Sequence, residues 1–134
     1  MTAIDVRLDA TGAPPEERIT GLAALDERMD SLHAVRANGD PTIVVVFTHG
    51  LWLDIGLGAS RSFVQVQPEA GEGPCFVTVG DAEASGVTTF LLHDEHHTEI
   101  PNSNLVAIAT VREIVRSIVR TGARPTTVEW EQLF

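Results

Sequence analysis

The sequence has a single cysteine, no lysine and no long hydrophobic run. One cysteine, Cys75, among 134 residues excludes an internal disulfide framework and a cysteine-rich zinc site. No apolar segment follows Met1, which argues against a secretion signal. The longest apolar run, residues 43–47, is far too short to cross a bilayer. We therefore expect one cytoplasmic domain spanning residues 1–134, without membrane contact.

The charge of the chain is strongly one-sided. Nineteen acidic residues oppose nine basic ones, all of them arginine, and the formal net charge is -10. Such a surface repels nucleic acid and anionic membranes, and it accelerates the encounter with a basic partner. Acidity also serves solubility alone, so the charge by itself leaves the function open.

Two segments have the apolar periodicity of amphipathic helices. The first is predicted from about residue 16 to residue 35, after a turn that ends at Pro15. Its core stripe is Ile19, Leu22, Leu25, Met29 and Leu32. The second is predicted over residues 103–121, with Asn102 or Ser103 as N-cap and Gly122 as a left-handed C-cap. Its core stripe is Leu105, Ile108, Val111, Val115 and Ile118.

The remaining apolar runs have the pattern of strands. They cover residues 3–9, 43–47, 51–57, 63–67, 75–79, 87–92 and 128–130. The five runs between residues 42 and 93 are typical of an antiparallel meander. We predict an α+β fold, in which two amphipathic helices pack on one face of a curved antiparallel sheet. The other face is expected to be partly exposed, with Asp54, Gln65, Gln67, Thr78 and Thr88 on it.

The densest group of reactive side chains follows the last strand of the predicted meander. It contains His93, Asp94, Glu95, His96, His97 and Glu99. Imidazole and carboxylate are the ligands that zinc and iron use. A turn would splay these side chains, so we predict a solvated turn and no metal. A small metal-binding or hydrolytic protein built on this group stays as an alternative.

The chain lacks a recognisable set of catalytic residues. His93 and Glu95 match half of the zinc deaminase signature, but Thr78 stands where its second cysteine should be. The Pro74-Cys75 pair also precedes the histidine instead of following it. There is no nucleophile elbow and no complete dinucleotide-binding loop. We therefore predict that the protein is not an enzyme and needs no cofactor.

Two tryptophans are large enough to anchor either a core or an interface. Trp52 alternates with Asp54 on the less apolar side of its strand, where contact with a partner and packing are both compatible with the pattern. Trp130 follows the second predicted helix, and we expect it in the core.

The C-terminal third carries three short motifs around its helix. They are Glu99-Ile100-Pro101, Thr121-Gly122-Ala123-Arg124-Pro125 and Val128-Glu129-Trp130. This part resembles class one of the immunity proteins of bacterial polymorphic toxin systems, whose toxins are often nucleic-acid deaminases. The resemblance implies structural roles for the motif residues Glu99, Pro101, Gly122, Pro125 and Trp130.

The resemblance implies an antidote that binds a cognate toxin and occludes its active site. A toxin that acts on phosphate-bearing substrates has a basic surface, which an acidic inhibitor complements, and the inhibitor itself has no direct nucleic-acid contact. The candidate toxin contacts are Trp52, Asp54, Glu69, Glu72, Asp94, Glu95, His96 and Glu99. A non-catalytic regulatory subunit is the second alternative, and homo-oligomerisation is left open.

Overall fold

The computed structural model of the protein describes residues 5–10, 17–36, 40–92 and 96–134. The helices in these ranges are α1 (Leu22–Arg36) and α2 (Ile108–Thr121). A 3-10 turn spans Asn102–Asn104. The strands are β1 (Asp5–Asp9), β2 (Glu17–Thr20), β3 (Thr42–Thr48), β4 (Leu51–Leu57), β5 (Arg61–Ser62), β6 (Val64–Pro68), β7 (Phe76–Val79), β8 (Val87–Leu92), β9 (His96–Pro101), β10 (Val106–Ala107) and β11 (Glu129–Gln132).

Most strands belong to one large sheet. Strands β3, β4, β6 and β7 form an antiparallel meander, and β11 adds to β7 at one edge. On its other side β3 has two neighbours, because its C-terminal half pairs with β1 while Thr42 and Ile43 pair in parallel with β8. Strand β2 continues the sheet beyond β1, and β9 continues it beyond β8. The predicted α+β class, an antiparallel sheet with two helices, is confirmed.

The main core lies between the two helices and one face of the sheet. Val44 and Val46 of β3 stand directly opposite Ile55 and Leu53 of β4, and all four are fully buried. Since alternate strand residues share a face, these side chains define the covered side. Both helices pack into the same cluster with Leu25, Met29, Val111, Ile114, Val115, Ile118 and Val119.

A smaller core forms on the opposite face, where the β8–β9 hairpin folds over the sheet. Phe90 of the hairpin meets Phe63 edge-on, with ring centroids 5.2 Å apart. The buried members of this second core are Ile43, Phe63, Val77, Phe90, Ile100 and Leu105. The hairpin thus covers one end of this face, and side chains at the other end stay partly exposed.

The first helix begins later than the sequence predicts. Residues Glu17–Thr20 form β2, and Ile19 is buried opposite Val6 of β1. Gly21, with a φ of 93°, ends this strand, and α1 starts at Leu22. Ile19 and Leu22 are three residues apart, so their spacing matched a helix although only the second lies in one.

The second helix also begins later, and its predicted N-cap is wrong. Between the 3-10 turn and the helix, β10 pairs with β5, with Val106 opposite Ser62. No side chain caps the N-terminus of α2. At the other end the prediction is confirmed: Gly122 has a φ of 74°, and its N–H donates to the carbonyl of Ile118 at 2.7 Å.

Three further predictions differ from the structure. The segment His96–Pro101 is strand β9 instead of a solvated turn, because it pairs with β8 along its whole length. Strand β8 leaves the meander and returns to β3. Thr78 is fully buried on the face opposite to Gln65, where it stands across from Trp130, and its hydroxyl donates to the Asn104 carbonyl at 2.9 Å. The predictions for His93, Asp94 and Glu95 lie outside the described residues.

Neither α1 nor α2 combines the length and the apolar character that a membrane-spanning helix requires.

Candidate protein-interaction surface

One row of side chains crosses the partly exposed face of the sheet from β2 to β6. Directly opposite residues on neighbouring strands point to the same side of a sheet. The strand register therefore gathers side chains from five strands on one side of the sheet. This cross-sheet row consists of Arg18, Arg7, Phe47, Trp52 and Gln67.

Ring contacts hold the centre of the cross-sheet row. The Arg7 guanidinium lies 4.5 Å from the centroid of the Phe47 ring. Phe47 meets Trp52 edge-on, with centroids 5.2 Å apart and an interplanar angle of 72°. Trp52 Nε1 donates to Asp54 Oδ1 at 3.0 Å. Large side chains that are already held in place lose little conformational entropy when a partner binds.

The acidic candidates after β6 lie beside this row. Glu69 Oε2 accepts a hydrogen bond from Arg7 at 2.5 Å, and the two side chains are 38% and 37% exposed. An ion pair at that exposure contributes little to folding stability. Glu72 lies in the same connection to β7, where residues 69–74 are exposed as predicted.

The candidates on β9 are divided between its two sides. His96 shares a side with Thr98 and Ile100, which line a small groove together with Asp54 of β4. Glu99 lies on the other side of the hairpin, where its side chain is exposed. The structure therefore places His96 on the side of β9 that carries the groove residues, and Glu99 on the opposite side. Asp94 and Glu95 lie outside the described residues.

The other motif residues organise the C-terminal third. Trp130 packs partly buried against the main core, and its Nε1 donates to the Pro125 carbonyl at 3.0 Å. The Arg124 guanidinium lies 3.5 Å from the centroid of Phe76 and 5.6 Å from that of Trp130. Gly122 caps α2, and Pro101 precedes the 3-10 turn.

Sequence reasoning missed three members of the cross-sheet row. Arg7 alternates with buried Val6 and Leu8, which predicts only that it faces solvent. Phe47 was assigned to an apolar run, and Arg18 to a helix. Their common row depends on the pairing of distant strands, for which one sequence gives no local signal.

A recess of about 230 Å³ opens at the end of the cross-sheet row. Arg7, Arg18 and Phe47 line it together with Glu69 and the turn between β3 and β4. The recess thus has two guanidinium groups and one carboxylate on its walls. An arginine pair of this kind favours anionic groups, because guanidinium binds carboxylate and phosphate through paired hydrogen bonds.

The described residues offer no metal-binding cluster. Within residues 5–10, 17–36, 40–92 and 96–134, no three histidine, cysteine, aspartate or glutamate side chains are grouped so that they could hold an ion. His96 and His97 occupy opposite sides of β9, which accounts for their separation. Burial raises the pKa of the Cys75 thiol, which disfavours the reactive thiolate.

Partly exposed aromatic side chains beside arginines on one face of a sheet are typical of protein-binding surfaces. A comparison with protein families gives the particular family: Immunity protein Imm1 matches residues 6–132, and the chain belongs to the Imm1 family. The resemblance in the C-terminal motifs is thereby confirmed, and it extends over nearly the whole chain. A comparison with curated proteins found no match.

Proposed function

We propose that this protein neutralises a cognate toxin that acts on nucleic acid, by binding the toxin domain and covering its active site. The match to the Imm1 immunity proteins over residues 6–132 carries this proposal. The net charge of -10 supports the kind of toxin, because an active site that approaches phosphate is basic. The protein acts as an antidote without chemistry or a cofactor of its own.

The cross-sheet row and its acidic neighbours form the proposed contact surface. Trp52 lies in this row between Phe47 and Gln67, and tryptophan and arginine dominate the energetics of protein interfaces. The carboxylates of Asp54 and Glu69 lie beside the row, where they meet the basic rim of the toxin. The proposed contacts on described residues are Trp52, Asp54, Glu69, Glu72, His96 and Glu99. Asp94 and Glu95 are proposed from the sequence alone.

Co-expression with the toxin encoded by the neighbouring gene tests the immunity role. We expect the protein to rescue cells from that toxin, and the two proteins to co-purify.

Charge complementarity also makes the association rate salt-dependent, with acceleration by about 10- to 1,000-fold at low salt. Stopped-flow measurement between low and high salt would show this dependence. Absence of both rescue and co-purification would refute the immunity role, and a flat salt response would remove electrostatic steering from it.

Replacing Trp52 with alanine should weaken toxin binding. Loss of an aromatic anchor at the centre of an interface raises the dissociation constant by about 30-fold or more. Val35→Ala on α1 is the matched control, because Val35 is an apolar side chain that is 78% exposed. Titration calorimetry gives the affinities, and thermal unfolding checks that both variants fold. A folded Trp52→Ala protein that binds as tightly as the Val35→Ala control would show that the interface lies elsewhere.

A further inference from the structure

The cross-sheet row places two like charges against each other. Arg7 and Arg18 stand directly opposite on β1 and β2, a position at which like charges disfavour strand pairing. Arginine is also scarce here, with nine basic residues against nineteen acidic ones. Two of the nine therefore meet at one position of the sheet, where their mutual repulsion opposes the strand pairing.

The recess between these arginines already holds one carboxylate. Glu69 Oε2 contacts Arg7 at 2.5 Å, and both residues line the recess together with Arg18. In the part of the chain that the structure describes, no acidic side chain pairs with Arg18, whose residue is exposed. The recess thus has one guanidinium bound to a carboxylate, and a second one directly across the strands.

We propose that this recess receives a carboxylate side chain of the bound toxin, held by Arg18 with Arg7 beside it. This inference rests on the proposed immunity function and adds the chemistry of one specific contact. A guanidinium fork binds a carboxylate through two parallel hydrogen bonds, which fixes the orientation of the partner as well as its position. The Phe47 ring, which lines the recess, excludes water from one side of such a contact and strengthens it.

The proposed contact has the opposite polarity to the rest of the protein. The net charge of -10 attracts a basic toxin at long range. A cationic recess within that acidic surface then selects a partner with an acidic group at one defined place. Specific recognition of one toxin among many basic ones requires a short-range feature of this kind, since bulk attraction is shared by all of them.

The variant Arg18→Glu separates this contact from bulk attraction. Charge reversal makes the protein more acidic, so attraction alone would leave binding to a basic toxin unchanged or tighter. Loss of a close interfacial charge pair instead raises the dissociation constant by about tenfold or more, mostly through faster dissociation. Arg120→Glu is the matched control, because Arg120 is an exposed arginine in the last turn of α2 and changes the net charge equally.

Surface plasmon resonance with the toxin domain measures both rates for the wild type and the two variants. We expect faster dissociation for Arg18→Glu alone, with thermal unfolding at or above that of the wild type, because the substitution replaces a like-charge pair across the strands with an opposite-charge pair. We also expect one toxin variant, with an exposed aspartate or glutamate changed to arginine, to restore binding to Arg18→Glu. If the wild type binds and Arg18→Glu binds as tightly, the contact is refuted while the immunity function stands.

A second outcome would assign the recess to another ligand. If a single-stranded DNA oligonucleotide binds the wild type but not Arg18→Glu, the arginines take phosphate, and the carboxylate contact is refuted. If the wild type itself does not bind the toxin, the proposed function fails before the contact is tested. We expect no oligonucleotide binding, because the surrounding acidic surface repels the phosphate backbone.

Discussion

Replacing Gly56 on β4 with alanine is expected to destabilise the protein strongly. A Cβ atom at this position would lie 2.1 Å from Ser62 Oγ, 2.8 Å from Phe90 Cε1 and 3.0 Å from Phe63 Cε1. All three neighbours are buried, with at most 1% of each residue exposed. Gly56 N–H also donates to the Phe63 carbonyl at 3.2 Å, so the backbone cannot move away freely.

The expected loss of stability in Gly56→Ala is large because three segments of the chain pack together at Gly56. Strand β4, the β5 segment and the β8–β9 hairpin approach one another there, and the two phenylalanines belong to the second core. Overpacking of a well-filled core costs typically 1–3 kcal/mol, and a contact at 2.1 Å places Gly56→Ala at about 3 kcal/mol or more. Urea unfolding followed by tryptophan fluorescence measures the loss.

Gly50→Ala provides the control for Gly56→Ala. A Cβ at Gly50 meets nothing within 4 Å, but its φ of 71° lies in the left-handed region. The substitution should therefore cost only backbone strain, about 1 to 2 kcal/mol. If Gly56→Ala lost no more stability than Gly50→Ala, the close packing of the hairpin on the sheet would be refuted.

Local patterns predicted the strands of the meander well. The continuous apolar run in β3 matches a strand that is covered on both faces, and Val44, Val45 and Val46 are at most 1% exposed. Alternation in β4 and β6 likewise predicted which side chains face the helices. These features depend on which side of one strand is buried, and the order of residues along that strand determines it.

Pairing between distant segments could not be predicted in the same way. The return of β8 to β3 joins Leu91 to Thr42, and nothing in either segment specifies a parallel neighbour. Strand β2 was assigned to a helix because Ile19 fits both the helical period and the two-residue period of a strand. The pairing with β1, which buries Ile19 against Val6, decides between them. Tertiary contacts override local spacing in such short segments.

The candidate surface also combines features that one strand predicts with features that only the pairing of strands determines. Alternation along β4 was enough to place Trp52 and Asp54 on the partly exposed face. The arginines and Phe47 join them only through the register of β2, β1 and β3. A charged residue predicted merely to face solvent thus becomes part of a specific site once its cross-strand neighbours are known.

The arginines of α2 hold the two helices together. Arg112 is only 8% exposed, and it donates to the Asp30 carboxylate and to the Asp26 carbonyl, the latter at 2.8 Å. Arg116 Nε donates to Asp26 Oδ2 at 2.9 Å. Arg112 and Arg116 are four residues apart, which places them on one face of the helix, but the spacing alone does not reveal their partners on α1.

Arg112→Ala should therefore destabilise the fold. The substitution removes the charge-assisted hydrogen bonds at the helix junction together with a side chain that is only 10% exposed, which lowers the free energy of unfolding by about 2 to 3 kcal/mol. Arg120→Ala is the control, since Arg120 is exposed and its loss should stay within about 0.5 kcal/mol. If both variants unfold at the same urea concentration, the contacts of Arg112 between the two helices contribute nothing to folding stability.

The pH dependence of stability tests how much of the loss in Arg112→Ala comes from the Arg112–Asp30 ion pair. The hydrogen bond from Arg112 lowers the pKa of Asp30 below its ordinary value, which is about 3.9. A carboxyl with a lowered folded-state pKa stabilises the protein above the ordinary value, and this contribution is lost as the pH falls through the folded-state pKa. The wild type should therefore lose stability from about pH 4 downward.

Arg112→Ala should lose less stability over the same pH range, because its Asp30 carboxyl titrates at nearly the same pH folded and unfolded. The hydrogen bonds from Arg28 also lower the pKa of Glu17, but they are present in both proteins and cancel in the comparison. Urea unfolding of both proteins between pH 7 and the acid limit gives the difference directly. The gap between the two stabilities should narrow as the solution becomes more acidic. A constant gap would mean that Arg112 acts through packing alone, with no contribution from its charge.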